Sequence, residues 1–173
     1  SGEHAVALMN ALSVFIPHML ALSASSPYWH GIDTGMASCR ARIFEGLPTA
    51  GIPPQVANWA EFTALMRTLM HAGSITSIRE IWWDIRPHPT FGTVEVRICD
   101  GVNTLTEVCA ITAFIQCLTA FFQERYDNGE PLPVAHGYPL SVVAPGWAGD
   151  SWVKWLTSIQ VIDKDFDGVF MKT

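Results

Sequence analysis

Trp83-Asp84-Ile85-Arg86-Pro87-His88-Pro89-Thr90-Phe91-Gly92-Thr93-Val94-Glu95-Val96-Arg97-Ile98 is the stretch whose reading decides the fold. Two runs with period-2 alternation flank a segment rich in proline and ending in glycine, which is the pattern of two strands joined by a turn. The reading is a β-hairpin with strands over 81–86 and 93–99 and a turn over 87–92. Side chains alternate across a strand, so Asp84 and Arg86 share a face, as do Glu95 and Arg97, opposite the apolar Val94, Val96 and Ile98. In-register pairing then gathers carboxylates and guanidiniums on one sheet face, with Asp100 just beyond it. Carboxylates there suit a hard cation such as magnesium, and arginines fork onto phosphate or carboxylate. The plainer reading is a salt-bridge ladder on a solvated face, which contributes little.

Helical signals surround the hairpin. Residues 4–23 read as one helix kinked at Pro17, where a backbone donor is missing, and Ser25-Ser26-Pro27 ends it. The Gly- and Pro-bearing stretch 28–55 reads as a long ordered loop with at most a short helix over 38–44, near Arg40, Arg42 and Glu45. Asn58 with Glu61 three residues later opens a helix whose Phe62, Leu65, Met66, Leu69 and Met70 fall on one face before Gly73. Thr104 with Glu107 repeats the start signal for an apolar helix to about Gln123. The class implied is α+β, with helices packed on an antiparallel hairpin-containing sheet. At Asp127-Asn128-Gly129-Glu130-Pro131 the texture becomes polar and proline-bearing, and strand-like runs follow at 141–144 and 152–162. This divides the chain into residues 1–127 and a short β-rich tail over 128–173.

Charged residues make up only 15% against 49% hydrophobic, so much of each element must face other protein. The net charge of −6 is spread without basic runs, which argues against nucleic-acid and membrane-surface partners and favours small-molecule substrates. Cys39, Cys99, Cys109 and Cys117 show no metal or disulfide spacing and read as reduced, buried thiols. Two apolar stretches, 5–22 and 105–122, approach the length of a membrane span. Asn10, Pro17 and His18 interrupt the first and Glu107 and Gln116 the second, so both read as buried core helices. Nothing at Ser1-Gly2-Glu3 resembles a leader sequence, and the start reads as the interior of something longer.

Several motifs carry a family resemblance. Ala21-Leu22-Ser23-Ala24-Ser25-Ser26-Pro27, Gly31-Ile32-Asp33-Thr34-Gly35, Trp83-Asp84-Ile85-Arg86-Pro87 and Phe91-Gly92-Thr93-Val94-Glu95-Val96-Arg97-Ile98-Cys99-Asp100 resemble, in this order, the later part of glutamate-cysteine ligase type 2, a carboxylate-amine ligase family. The resemblance implies a cytoplasmic enzyme that uses ATP and magnesium to phosphorylate the side-chain carboxylate of glutamate or another amino acid. An amine such as that of cysteine then displaces phosphate from the acyl phosphate. It also implies Glu95 at the metal, with Asp84 and Asp100 as further metal candidates, and Arg97 and Arg86 as the catalytic arginines near substrate or nucleotide phosphate. The family's earlier carboxylate-bearing strands have no counterpart here, so one wall of a site is expected, completed by an oligomer or a partner chain.

Beyond residue 128 a second resemblance begins. Asn128-Gly129-Glu130-Pro131-Leu132-Pro133, His136-Gly137-Tyr138-Pro139, Ala144-Pro145-Gly146-Trp147, Val153-Lys154-Trp155-Leu156 and Phe166-Asp167-Gly168 resemble the molybdopterin-binding domain of the sulfite oxidase family. That resemblance implies His136 and Lys154 as contacts to a molybdopterin cofactor. Ser141 stands where an arginine is usual, and the tail has no cysteine to ligate molybdenum. The alternatives to the ligase reading are therefore a sulfite-oxidase-like molybdoenzyme fragment and a non-catalytic globular fusion. A 128–173 module is near the size at which isolated domains need disulfides, metals or a partner. Limited proteolysis is expected to cut first between Arg125 and Pro133 and leave a stable N-terminal piece. Resistance there, with one cooperative unfolding transition, would show a single integrated domain instead.

Overall fold

The structure is a computed structural model, and it describes residues 1–132. In chain order the elements are α1 (Gly2–Ser13), α2 (Ile16–Ser23), β1 (Tyr28–Trp29), β2 (Ile32–Asp33), α3 (Cys39–Glu45), β3 (Ala50–Gly51), α4 (Trp59–His71), a 3₁₀ turn (Ile78–Glu80), β4 (Trp82–Trp83), β5 (Ile85–His88), β6 (Thr93–Val96) and α5 (Leu105–Asp127). Among the described residues the strands form three separate two-stranded sheets, β1-β2, β3-β4 and β5-β6. This is the α+β class expected. The expectation of a β-rich tail, with Trp147 and the strand-like runs 141–144 and 152–162, falls from residue 133 onward outside the described residues.

Helix α1 is the centre of the core. Val6, Met9 and Leu12 recur at helical spacing and are buried, and they meet Phe62 and Met66 of α4, Ile85 of β5, Ile98 and Phe122 of α5. The start signals behave as read. Asn58 accepts from the Glu61 N–H at 2.8 Å, and Thr104 and Glu107 form a complete capping box.

Four expectations need correction. The helix over 4–23 is two helices bent by 62°, because the ladder stops at Ser13 and restarts where Met19 N–H donates to the Phe15 carbonyl. Pro17 then sits in the first turn of α2, where its missing N–H costs nothing. The strand over 81–86 is interrupted at Asp84: β4 pairs in parallel with β3, and only β5 enters the hairpin. The turn over 87–92 shrinks, since Pro87 and His88 belong to β5. Arg97 N–H donates to the Asp84 carbonyl at 2.7 Å, which places Pro87, opposite Val94, at a position that makes no ladder hydrogen bond. Gly92, at φ 63°, supplies the left-handed residue that closes the turn.

The fourth correction concerns α5. It extends to Asp127, but Phe122 is its only buried residue, while Leu105, Val108 and Phe121 are exposed and Phe114, Ile115 and Leu118 only half-buried. The expected buried core helix is instead packed along one side, and much of its apolar surface is open among the described residues. By length and composition α5 is apolar enough to cross a membrane, whereas α1 and α2 pass that test only if counted as one bent segment. The same openness reaches the hairpin, where Ile98 is buried but Val94 and Val96 are half-buried.

Candidate functional site

Pairing of β5 with β6 places Arg86 directly opposite Glu95. Arg86 Nε donates to Glu95 Oε2 at 2.7 Å, and Nη1 donates to the carbonyls of Ile78 at 2.9 Å, Arg79 at 3.2 Å and Ile81. These carbonyls belong to the 3₁₀ turn and its exit, where only the Ile78 carbonyl also accepts a bond from within the turn, from the Ile81 N–H at 3.1 Å. The Arg86 side chain is only 7% exposed, so it is a strut inside the structure rather than a group open to ligand. The solvated ladder considered from the sequence is thus excluded at this pair.

Arg97 is placed differently. It follows β6, and its guanidinium lies 5.0 Å over the Trp82 ring, with Nη1 3.6 Å from Glu95 Oε2. Arg97 Nε is buried without a hydrogen-bond partner among the described residues. The Arg97 side chain as a whole is 27% exposed, against 7% for Arg86. Glu95 sits between the two arginines with its side chain 30% exposed.

The other two carboxylates occupy separate surroundings. Asp100 accepts from the Ser25 N–H at 3.0 Å, the Ser26 hydroxyl at 2.7 Å and the Ser38 hydroxyl at 3.0 Å, with Arg40 3.9 Å away. Asp84 is buried beside α3, and burial pushes its carboxyl up, helped by the charge of Glu45 and opposed by Arg40. Hence the structure brings together Arg86, Glu95 and Arg97, with Asp84 on the adjoining strand segment, while Asp100 serves the 25–38 loop. His136 and Lys154 lie outside the described residues.

Two participants were not singled out from the sequence. Arg40 donates to the carbonyls of Arg97 at 2.9 Å and Ile98 at 3.0 Å and lies over Phe44, whose ring meets Trp82 edge-on at 5.7 Å. Trp82, read as core, is half open and carries Arg97. Neither leaves a local signal, since one sits in the short helix α3 within a Gly- and Pro-bearing stretch and the other in a run of apolar residues. Cysteine chemistry is unfavoured at the nearby Cys99, whose thiol is pushed up by burial.

A metal fits these residues poorly. Among the described residues no cluster of three His, Cys, Asp or Glu side chains could hold a metal ion. Asp100 is saturated, Asp84 is buried with its carboxyl held towards the neutral form, and Glu95 is engaged by Arg86. Glu95 alone retains partial exposure to offer one ligand.

Comparison with known proteins gives the family. The family described as glutamate-cysteine ligase family 2 matches residues 1–150. The chain belongs to that family. The match runs past Asp127, so the ligase family covers part of the stretch read as sulfite-oxidase-like. "Putative glutamate--cysteine ligase 2-1" of Frankia alni is 56% identical over 133 residues, covering 77% of this chain and 35% of the relative. "Putative glutamate--cysteine ligase 2" of Gloeobacter violaceus is 50% identical over 151 residues, covering 87% and 40%. The protein of that same name in Thermobifida fusca is 53% identical over 131 residues, covering 76% and 33%. The chain thus spans between a third and two fifths of the length of these family-2 relatives.

The raised Asp84 carboxyl makes a pH-dependent prediction. The unfolded chain gives up this proton near 3.8, and the folded chain only at a higher pH, so the folded state holds more protons between the two values. The Asp84 contribution to stability therefore falls as pH rises through that window. Urea unfolding of the parent and of Asp84→Asn at a series of pH values should show the variant gaining stability relative to the parent across the window and levelling above it. A difference independent of pH would show that burial does not disfavour the Asp84 carboxylate.

Proposed function

We propose that the chain supplies one wall of an ATP-dependent carboxylate-amine ligase site, acting through an acyl phosphate. The single observation that carries this reading is Arg97: a guanidinium held on Trp82, 3.6 Å from Glu95, with its side chain 27% exposed where that of Arg86 is 7% exposed and bonded to backbone carbonyls. A planar cation so placed suits the phosphoryl oxygens of a nucleotide or the carboxylate of an amino acid, and fixed donors stabilise charge as it moves. The proposed reaction transfers the terminal phosphoryl of ATP to the side-chain carboxylate of glutamate or a similar amino acid. An amine, such as that of cysteine, then attacks the acyl carbon and expels phosphate, forming an amide.

In this reading Arg97 holds the anionic group, Glu95 orients Arg97, and Arg86 fixes Glu95. Trp82 limits the rotamers of Arg97, and Arg40 holds the backbone from which it projects. Magnesium, which the family implies, is not given a site by the described residues, where Glu95 is engaged by Arg86 and Arg97. Another segment or a partner chain would complete the site, and the same reading places the protein in the cytoplasm. The boundary between 1–127 and 128–173 is proposed on sequence texture, and molybdopterin contact by His136 and Lys154 rests on resemblance alone.

Calorimetric titration of the chain with magnesium-ATP tests the assignment. One wall should bind weakly, with Kd of about 1 mM or above, near −4 kcal/mol, and Arg97→Met should abolish that binding while Arg42→Ala at an exposed pair leaves it unchanged. Binding indifferent to Arg97→Met would remove Arg97 from the site. Micromolar binding lost in Glu95→Ala would show a complete nucleotide site and overturn the one-wall reading.

A further inference from the structure

Helix α4 and the 3₁₀ turn that follows it border a cleft of about 400 Å³. Helical spacing brings Trp59, Phe62, Met66 and Met70 to one face of α4, and together they make the cleft almost wholly apolar. Its aromatic part is fixed before any ligand arrives: the Trp59 ring lies against Gly2, where a Cβ would collide with it, and stacks on Phe62 with centroids 4.9 Å apart. Met66 and Met70 line the cleft further along the helix, and methionine adapts its shape to an apolar guest and makes favourable contacts with aromatic rings. Two polar groups also line it. Arg67 is exposed and makes no ion pair among the described residues. The Ser77 side chain makes no hydrogen bond to the turn it precedes. Arg86 and Arg40, by contrast, spend donors on backbone carbonyls.

We infer that this cleft binds a small monocarboxylic acid with an aromatic or other apolar body. The apolar body gains by leaving water against Trp59, Phe62 and the two methionines, and the carboxylate meets the planar fork of Arg67, with the Ser77 hydroxyl as a second donor. The same lining excludes the substrates of a ligase. No Asp or Glu borders the cleft, so the ammonium of an amino acid would go unmet, and one guanidinium answers one negative charge rather than the several of a nucleotide. The volume lies at the small end of the range for ligand clefts, about 300–1,000 Å³, which suits one small molecule. The cleft is bordered by Ile78, whose carbonyl holds Arg86, so it shares the 3₁₀ turn with the hairpin. The inference holds whether or not Arg97 binds nucleotide.

Titration of the full 173-residue chain, with the methionine methyl groups followed by NMR, tests it. The probes are phenylbutyrate and its neutral analogue phenylbutanamide. The acid should shift the Met66 and Met70 methyl signals with Kd of about 1 mM. The amide should bind at the same place about fivefold more weakly, because it lacks the charge that meets Arg67. Arg67→Gln, at an exposed position, should bring the acid down to the level of the amide and leave the amide unchanged, with the circular dichroism of the chain unaltered. Equal binding of acid and amide, or acid binding indifferent to Arg67→Gln, would remove the carboxylate from the cleft and overturn the inference. Met66 and Met70 signals that neither probe moves would overturn it too, assigning the cleft to another part of the chain or, where they shift with protein concentration alone, to a second copy.

Discussion

The half-buried contact between Arg86 and Glu95 organises the hairpin and what surrounds it. A guanidinium removed from water is costly unless its donors are met, and here one carboxylate and three backbone carbonyls meet them. The carbonyls lie on the 3₁₀ turn before β4, so the same side chain ties the approach of the strand to its return. A slip of one residue in the β5-β6 register would turn Glu95 to the apolar face and strand Arg86. Register, the path of 78–81 and the freedom of Arg97 therefore share one cause.

A second polar knot holds the irregular part of the chain. Asp100 receives the Ser25 backbone and the hydroxyls of Ser26 and Ser38, while its own N–H donates to Ser23 at 3.1 Å. Arg40 adds two bonds to the carbonyls after β6. The stretch 25–40 contains only two-residue strands and the start of α3, so these side chains do for it what a ladder does elsewhere. Their effect on the site is positional, since α3 is thereby held beside Asp84 and the backbone of Arg97 is fixed.

The hairpin was legible in the sequence because alternation at Val94, Glu95, Val96 and Arg97 is a local pattern with one geometric meaning, and the caps at Asn58 and Thr104 are equally local. The family motifs lay on the same residues, and the ligase family is the one the chain belongs to. What escaped depends on neighbours. Pro87 reads as a turn residue until the ladder phase shows that it faces a position needing no donor. The two arginines of the hairpin look equivalent in sequence, and only the carbonyls of 78–81 separate strut from open cation. Apolar composition predicted burial for α5, yet composition records a need for cover and not its presence, and among the described residues most of that need is unmet.

The central claim, that buried Arg86 and half-buried Glu95 act as one unit, is tested most directly by a double-mutant cycle in urea with Arg86→Met and Glu95→Gln. The account predicts that either change alone is strongly destabilising, with Arg86→Met costing about 3–5 kcal/mol, and that the pair together costs less than the sum by about 1–3 kcal/mol. Costs that add to within about 0.5 kcal/mol would show two independent side chains and would contradict it.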